Sequence, residues 1–483
     1  MRELDRLYLD GAWVVPSGSL SVNVINPATE EASGRLTLGD EADVDRAVAA
    51  AKAALPGFRQ TSREERIALL ERIIDGLVAR EDDIAAAVTD EMGSPQGFSL
   101  EVQARSAALH ARVTLETLRN YAFETWSGRT LVCHEPIGVC ALITPWNYPA
   151  GAILTKLAPA LATGCTVILK PSEYAPYSAQ IVAEVIHGAS LPPGVFNMVF
   201  GDGETVGAAL SGHPDVDMVT ITGSVRAGIE VARRAASTVK RVHQELGGKS
   251  PNILLDSADF PTAVPNAVRA AMINSGQACI APTRLLVPAS RREEVRKLAA
   301  EAAAAMTVGH PESGAILGPV ANGAQWNHIQ AMIKKGVDEG ATLVCGGPGR
   351  PEGLDRGYYV RPTIFADTTP QMSVVRDEIF GPVLAIQEFD GVEHAIEMAN
   401  DTPYGLGAYV HGADLEELRA IGGRLLAGQV FLNGTGMQIG DPTAPFGGVK
   451  LSGNGRERGA AAFEAFTEVK AYLGYSPPQT VDA

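Results

Sequence analysis

Positive charge, paired histidines and cysteines are all in short supply in this chain, and each shortage removes a class of function. Its 483 residues carry 40 Lys and Arg against 56 Asp and Glu, a formal net charge of -16. A phosphate backbone is bound by clustered cations that displace its counterions, so no nucleic-acid partner is expected. No apolar stretch approaches the ~18–20 residues of a membrane helix, and charged side chains interrupt the first ten positions. The expectation is a cytoplasmic protein with no signal peptide and no membrane partner. The cysteines, Cys133, Cys140, Cys165, Cys279 and Cys345, are odd in number and show no C-x-x-C spacing, which argues against a disulfide framework or a zinc ribbon. The nine histidines never fall at i, i+4, no H-E-x-x-H occurs and no G-x-S-x-G elbow is present. Zinc-protease and lipase-type chemistry drop out, and no metal site is expected.

What remains is a globular α/β chain. At 46% hydrophobic and 20% charged it has the composition of a packed protein, and its length suggests two or three domains. Val44, Ala47, Val48, Ala51 and Leu55 recur at helical spacing between Asp40 and Pro56, the stretch from Ser62 to Met92 reads as helical, and so does Lys297 to Met306. From Cys140 onward, β-rich runs at Thr166 to Leu169, Val195 to Phe200, Met218 to Ile221 and Val242 to Leu246 alternate with helical segments starting near Pro176, Gly203 and Ser224. That is the rhythm of βαβ units in a parallel sheet, whose strand ends open the crevices where nucleotides bind. Lys170, Glu173, Gly223, Ser224 and Glu245 fall at those ends. The glycine run from Gly201 through Gly203 to Gly207 misses the common dinucleotide fingerprint by one residue, and a plain helix-starting turn explains it equally well. A second α/β pattern starts at Ser250 and includes the strand-like Arg284 to Val287. Trp126 to Glu135 and Glu468 to Tyr475 read as strands with little core of their own.

Three segments carry chemistry. Cys279 ends the run Asn274-Ser275-Gly276-Gln277-Ala278-Cys279, Glu245 leads Glu245-Leu246-Gly247-Gly248-Lys249, and Asn147 sits in Pro145-Trp146-Asn147-Tyr148-Pro149. Each alone has an ordinary reading: a small buried hydrophobe, a strand end, a turn amide. Together they offer a thiol nucleophile, a carboxylate base and a donor for an oxygen that becomes negative.

In this order, and with Lys170-Pro171-Ser172-Glu173, Thr222-Gly223-Ser224, Glu378-Ile379-Phe380-Gly381-Pro382, Asn433-Gly434 and Pro445-Phe446-Gly447-Gly448, the chain resembles the aldehyde dehydrogenase superfamily over nearly its whole length. The resemblance implies a Rossmann-like cofactor domain from residues 1–117 and 137–247, an α/β catalytic domain at 248–449, and an oligomerisation arm and tail at 118–136 and 465–483 of a homodimer or homotetramer. It implies NAD-dependent oxidation of an aldehyde to its acid, of the hydrolytic and not the acylating type, with Cys279 as nucleophile, Glu245 activating water and Asn147 in the oxyanion hole. It places Trp146, Lys170, Glu173, Gly203, Gly223, Ser224, Glu378 and Phe380 on the cofactor, and Lys156 near the active site, where a structural lysine is an equal reading. A relative that keeps the fold but only binds nucleotide is the competing alternative; intact Asn147, Glu245 and Cys279 speak against it. Glu173 would repel a 2′-phosphate, so NAD is expected over NADP. The small residues Ala150, Gly151, Ala152 and Thr155 suggest a wide substrate funnel, with Tyr148, Ala152, Thr155, Ile280, Met437, Ile439 and Phe446 as lining. No arginine is obvious in those segments, so medium-sized or bulky apolar aldehydes are expected to beat acetaldehyde and carboxylate-bearing semialdehydes.

Overall fold

A computed structural model describes residues 2–475, apart from the side chain of Met437; residues 476–483 of the expected tail lie outside the described residues. Three segments of almost unbroken β-branched and aliphatic sequence, Val139–Ile143, Thr166–Lys170 and Met218–Thr222, are buried along nearly their whole length. Strands covered on both faces read this way, and they form the middle of an eight-stranded sheet. Its parallel part runs Arg241–Glu245, Met218–Thr222, Val139–Ile143, Thr166–Lys170, Phe196–Met198, with antiparallel additions at both edges. Chain order reverses direction between Val139–Ile143 and Met218–Thr222, which opens a crevice at their carboxyl ends. Pro145-Trp146-Asn147 follows one of these strands and Gly223-Ser224 the other.

The second sheet has seven strands, ordered Thr342–Cys345, Thr363–Ala366, Val383–Phe389, Arg284–Pro288, Pro251–Leu254, Gly407–His411, Gln429–Leu432; only the first is antiparallel to its neighbour. Separate apolar clusters around Val264 and Leu285, around Leu286 and Val410, and around Ile333 and Phe365 pack about it. Helix Pro149–Thr163 is buried nearly all round because Ala, Gly and Leu fill it, with Pro149 at its first turn and Gly164 at φ +90° ending it.

Local sequence also explains where elements stop. The stretch Ser62 to Met92 forms two helices, Arg63–Ala79 and Glu81–Met92, because Arg80 leaves helical geometry at φ -115°, ψ 14°. Pro56 lies inside the last turn of Glu41–Phe58 instead of ending it. Trp126 to Glu135 is a hairpin, not one strand: Glu124–Ser127 pairs with Thr130–Pro136 across a two-residue turn led by Gly128 at φ +60°. Thr467–Tyr472 adds to the other side of that hairpin, giving a three-stranded sheet that leaves Trp126, Val469, Leu473 and Tyr475 exposed.

Candidate active site

Cys279 lies just after a strained turn. Asn274 and Ser275 have φ of +56° and +54°, a region that L residues enter at a cost, and Gly276 follows at +73° with its Cα so close to Gly381 that a Cβ would sit 2.0 Å from that carbonyl oxygen. Hydrogen bonds hold the turn in place. Ser275 Oγ donates to the Gly318 carbonyl at 2.8 Å, Gln277 Nε2 to the Asn274 carbonyl at 3.0 Å, and the Ala321 amide to Gln277 Oε1 at 2.8 Å.

Asn147 is fastened to the same turn. Its backbone carbonyl accepts from Gln103 Nε2 (2.9 Å) and Asn274 Nδ2 (3.1 Å), while its side-chain Nδ2 donates to the Gln277 carbonyl at 3.0 Å. One of the two amide N–H bonds is thereby used, and the other is free to meet an oxyanion. Glu245 closes the strand Arg241–Glu245, is 2% exposed, and neither carboxylate oxygen has a hydrogen-bond partner among the described residues.

These three residues share a cleft of about 300 Å³ with Trp146, Gly223, Ser224, Glu378 and Phe380. Ser224 caps the helix Val225–Ala235, accepting from the Ala227 amide at 3.2 Å, and the Val225 and Arg226 amides ahead of it lack intrahelical partners. A helix start at a crevice suits a pyrophosphate. Glu378 Oε1 accepts from the Gly248 amide at 2.9 Å, and Gly247 is approached so closely that a Cβ there would lie 1.9 Å from Glu378 Oε2. Trp146 and Phe380 meet edge to face, 5.5 Å between centroids. Lys170 and Glu173, at the end of the strand Thr166–Lys170, pair at 3.2 Å. Neither they nor Gly203 line the cleft, and Gly203 opens a short π-helical turn that Asp202 caps.

The electrostatics of the cleft oppose negative charge. Burial first, then the carboxylates of Glu245, Glu378 and Glu457, push the Cys279 thiol up to about 12. Burial raises Glu378 to about 7. Glu245 is held well above the usual carboxylate range by burial and by the Glu457 charge, while Glu457 stays ionised because Lys156 Nζ donates to its Oε1. Lys156 also donates to Thr220 Oγ1 at 3.1 Å.

Of the expected lining residues, Tyr148 is half-buried with its ring 6.5 Å from that of Phe98, Ala152 and Phe446 are half-buried, and Ile439 is exposed. Thr155 is buried, its hydroxyl returned to the Gly151 carbonyl at 2.8 Å. Ile280 packs towards Gly407, where a Cβ would meet it at 2.7 Å. None of these lines the cofactor cleft, and the side chain of Met437 lies outside the described residues. Gln325 and His328 do line the cleft, and Gln325 Nε2 donates to the Phe380 carbonyl at 2.9 Å. Sequence reasoning missed both, since the helix Gly323–Asp338 that carries them looks like any amphipathic helix. Glu457 and Arg458 also escape sequence reasoning, since they stand there as ordinary charges after Arg456.

The profile of the aldehyde dehydrogenase family matches residues 13–472. A 3-succinoylsemialdehyde-pyridine dehydrogenase from a Pseudomonas species is 50% identical over 98% of this chain and 99% of its own. Among solved structures, a cysteine-to-alanine mutant of Aldehyde Dehydrogenase C from Pseudomonas syringae, in complex with NAD+ and octanal, is 51% identical with a TM-score of 0.96, covering 98% of this chain and 97% of that one. The Mycobacterium tuberculosis aldehyde dehydrogenase complexed with NAD+ is 38% identical, TM-score 0.94, over 98% and 99%. With the thiol, the carboxylate and the amide gathered on a nucleotide-sized cleft, these likenesses lead to one conclusion: the chain belongs to the aldehyde dehydrogenase family.

Proposed function

We propose that the protein oxidises an aldehyde to its carboxylic acid with NAD as cofactor, through a thiohemiacetal and then a thioester on Cys279. The observation that carries this reading is the meeting of Cys279, Glu245 and Asn147 in one cleft. NAD, when bound, supplies a hydride acceptor and a positive charge beside the thiol. Trp146, Gly223, Ser224, Glu378 and Phe380 would hold it, with Lys170 and Glu173 at the adjoining strand end and Gly203 at the start of a nearby helical turn. The Cys279 thiol releases its proton to solvent and its sulfur bonds to the aldehyde carbon as the carbonyl π pair moves to oxygen; the new oxyanion is met by the Asn147 side-chain N–H and the Cys279 backbone N–H. When the oxyanion collapses, hydride leaves and the thioester remains. Glu245, whose raised proton affinity makes its ionised form a stronger base than an exposed carboxylate, takes a proton from the water that hydrolyses it.

Glu245→Gln tests the division of labour. A carboxamide cannot accept that proton, so hydrolysis slows more than hydride transfer and a pre-steady-state burst of NADH precedes slow turnover. Loss of burst and turnover together would move Glu245 to thiol activation.

Cofactor choice follows from charge. Lys170 is tied to Glu173 at 3.2 Å, so the carboxylate is only partly neutralised. Glu173→Gln is expected to raise kcat/KM for NADP relative to NAD, as measured with one aldehyde and both cofactors. A wild-type enzyme that already favours NADP contradicts this.

The substrate on this reading has an apolar body and is medium-sized or bulky, with the room beside half-buried Ala152 and not at Gly151, where a Cβ would stand 2.5 Å from Ser106 Oγ. Each buried methylene adds about 0.8 kcal/mol of binding. Residues 1–117 and 137–247 form the cofactor domain and 248–449 the catalytic one. The arm at 118–136, with the tail from 465, joins a second copy as a homodimer or homotetramer: its sheet has free edges, and Trp126, Val469 and Leu473 are exposed there. Among the described residues no helix is long and apolar enough to cross a membrane, and the site of action is the cytoplasm.

A further inference from the structure

Arg458 forms no ion pair within 4 Å among the described residues, although the Glu457 charge acts on it. Its guanidinium lies over the Phe446 ring, 4.7 Å from the centroid, and its Nε is buried with no hydrogen-bond partner among the described residues. The adjacent carboxylate, Glu457, is engaged by Lys156 instead. An arginine desolvated without a partner is costly, and here the backbone is strained as well: Arg458 sits at φ +70°, ψ 154°, a conformation suited to glycine.

Its position relative to the reacting groups is fixed by the backbone. Phe446 and Glu457 exchange both backbone hydrogen bonds, at 2.8 and 2.7 Å. Gly447, next to Phe446, is so near the base that a Cβ there would lie 2.6 Å from Glu245 Oε1. The Arg458 charge is felt by Glu245 and by His110. His110 packs with Ser106 against helix Pro149–Thr163, its Cδ2 3.8 Å from where a Cβ on Gly151 would stand, and its Nδ1 is also buried without a partner among the described residues. The Arg458 guanidinium is thus set beside Phe446, an expected lining residue, and its charge acts on both Cys279 and Glu245.

The sign of the local field follows from the same contacts. Lys156, Arg456 and Arg458 are cationic and Glu457 is anionic. Burial keeps His110 and His243 neutral, pushing them down to about 3 and about 4, and it raises Glu245 well above the usual carboxylate range. The wall is net positive and incompletely hydrogen-bonded.

We infer that Arg458 is a specificity residue that binds a carboxylate at the far end of the aldehyde, so that aldehyde acids of medium length are preferred over neutral aldehydes of equal length. This rests on the reading of Cys279 as nucleophile. It reverses the expectation that carboxylate-bearing semialdehydes lose, which assumed that no arginine reached the funnel; Arg458 comes from a segment outside the stretches considered there. Phe446 keeps the guanidinium flat for two-pronged contact with a carboxylate, which lysine cannot reproduce in full.

The test compares kcat/KM for 4-oxobutanoate, 5-oxopentanoate and 6-oxohexanoate with that for butanal, pentanal and hexanal. Wild-type protein is expected to favour the oxo acid at one or more lengths. Arg458→Leu is expected to lower kcat/KM for that oxo acid about 10²-fold, chiefly through KM, with the neutral partner changed by no more than about 3-fold. Arg458→Lys recovers part of the loss and serves where the leucine variant folds poorly. A neutral aldehyde that wins at every length, or a leucine variant that depresses both series alike, overturns the inference while leaving the reaction standing. No oxidation of any of the six would overturn the reaction and the inference together.

Discussion

Cys279→Ala is expected to abolish aldehyde oxidation while leaving NAD binding near that of the wild type. Hydride does not leave readily from a planar carbonyl carbon; a nucleophile must first make that carbon tetrahedral and load its oxygen with charge. Removing a covalent nucleophile costs up to about 10⁶ in turnover where it has been dissected. On the proposed reading NAD would rest on Trp146, Ser224, Glu378 and Phe380, none of which depends on the sulfur, so a fluorescence titration should give a similar Kd. Turnover above a few per cent would remove Cys279 as nucleophile. The thiol also has a testable acid–base signature. With its pKa raised to about 12 by burial and by three carboxylates, the thiolate fraction in the free protein grows throughout the neutral and alkaline range. Alkylation of Cys279 by iodoacetamide should therefore keep rising with pH, with no plateau near the ordinary thiol value of about 8.5. Adding NAD+ should speed it, because a cation beside the sulfur favours the charged form. Cys133, Cys140 and Cys165 are buried away from the cleft, and Cys345 is half-buried on the far edge of the second sheet. Replacing any of these four should cost stability before it costs activity.

The sequence was most legible where chemistry and topology coincide. Thr166–Lys170 and Met218–Thr222 are short runs rich in β-branched residues, so their place in the middle of a parallel sheet follows from local pattern, and the motif residues at their carboxyl ends follow from the sheet. Asn147, Glu245 and Cys279 were found because each residue type fits a step of one reaction. Turns were harder. Gly128 alone marks the break between Glu124–Ser127 and Thr130–Pro136, and a single glycine inside a polar stretch is a weak signal. Partnerships across the chain were harder still. The Lys156–Glu457 pair joins residues 301 positions apart, and Gln325 reaches the Phe380 carbonyl from another element. Arg458 reads in sequence as one more charge in an Arg-Glu-Arg run; only folding shows that Glu457 turns to Lys156 and leaves the guanidinium unpaired. Burial and pairing are properties of the packed chain, and no period of 2 or 3.6 encodes them.

Asn147→Ala is expected to lower turnover by about 10²–10³, which corresponds to about 2.7–4 kcal/mol for one oxyanion-hole donor. The structure makes this substitution unusually clean. The backbone at Asn147 is held by Gln103 Nε2 and Asn274 Nδ2 through the main-chain carbonyl, at 2.9 and 3.1 Å, and both bonds survive truncation of the side chain. What is lost is the amide that bonds the Gln277 carbonyl and, with its second N–H, the oxygen of the thiohemiacetal. Asn274 Nδ2 also donates to the Gln277 carbonyl, at 3.2 Å, so that acceptor is not orphaned. The loss should appear in kcat and kcat/KM together, with KM little changed, because the donor is aimed at charge that exists only after the sulfur has attacked. The NADH burst separates this residue from Glu245: with Asn147→Ala the burst itself slows, since acylation is the damaged step, whereas with Glu245→Gln it stays fast and only the following turnover is slow. Turnover within about 3-fold of wild type would take Asn147 out of the oxyanion hole and leave the Cys279 backbone amide to stabilise the charge alone.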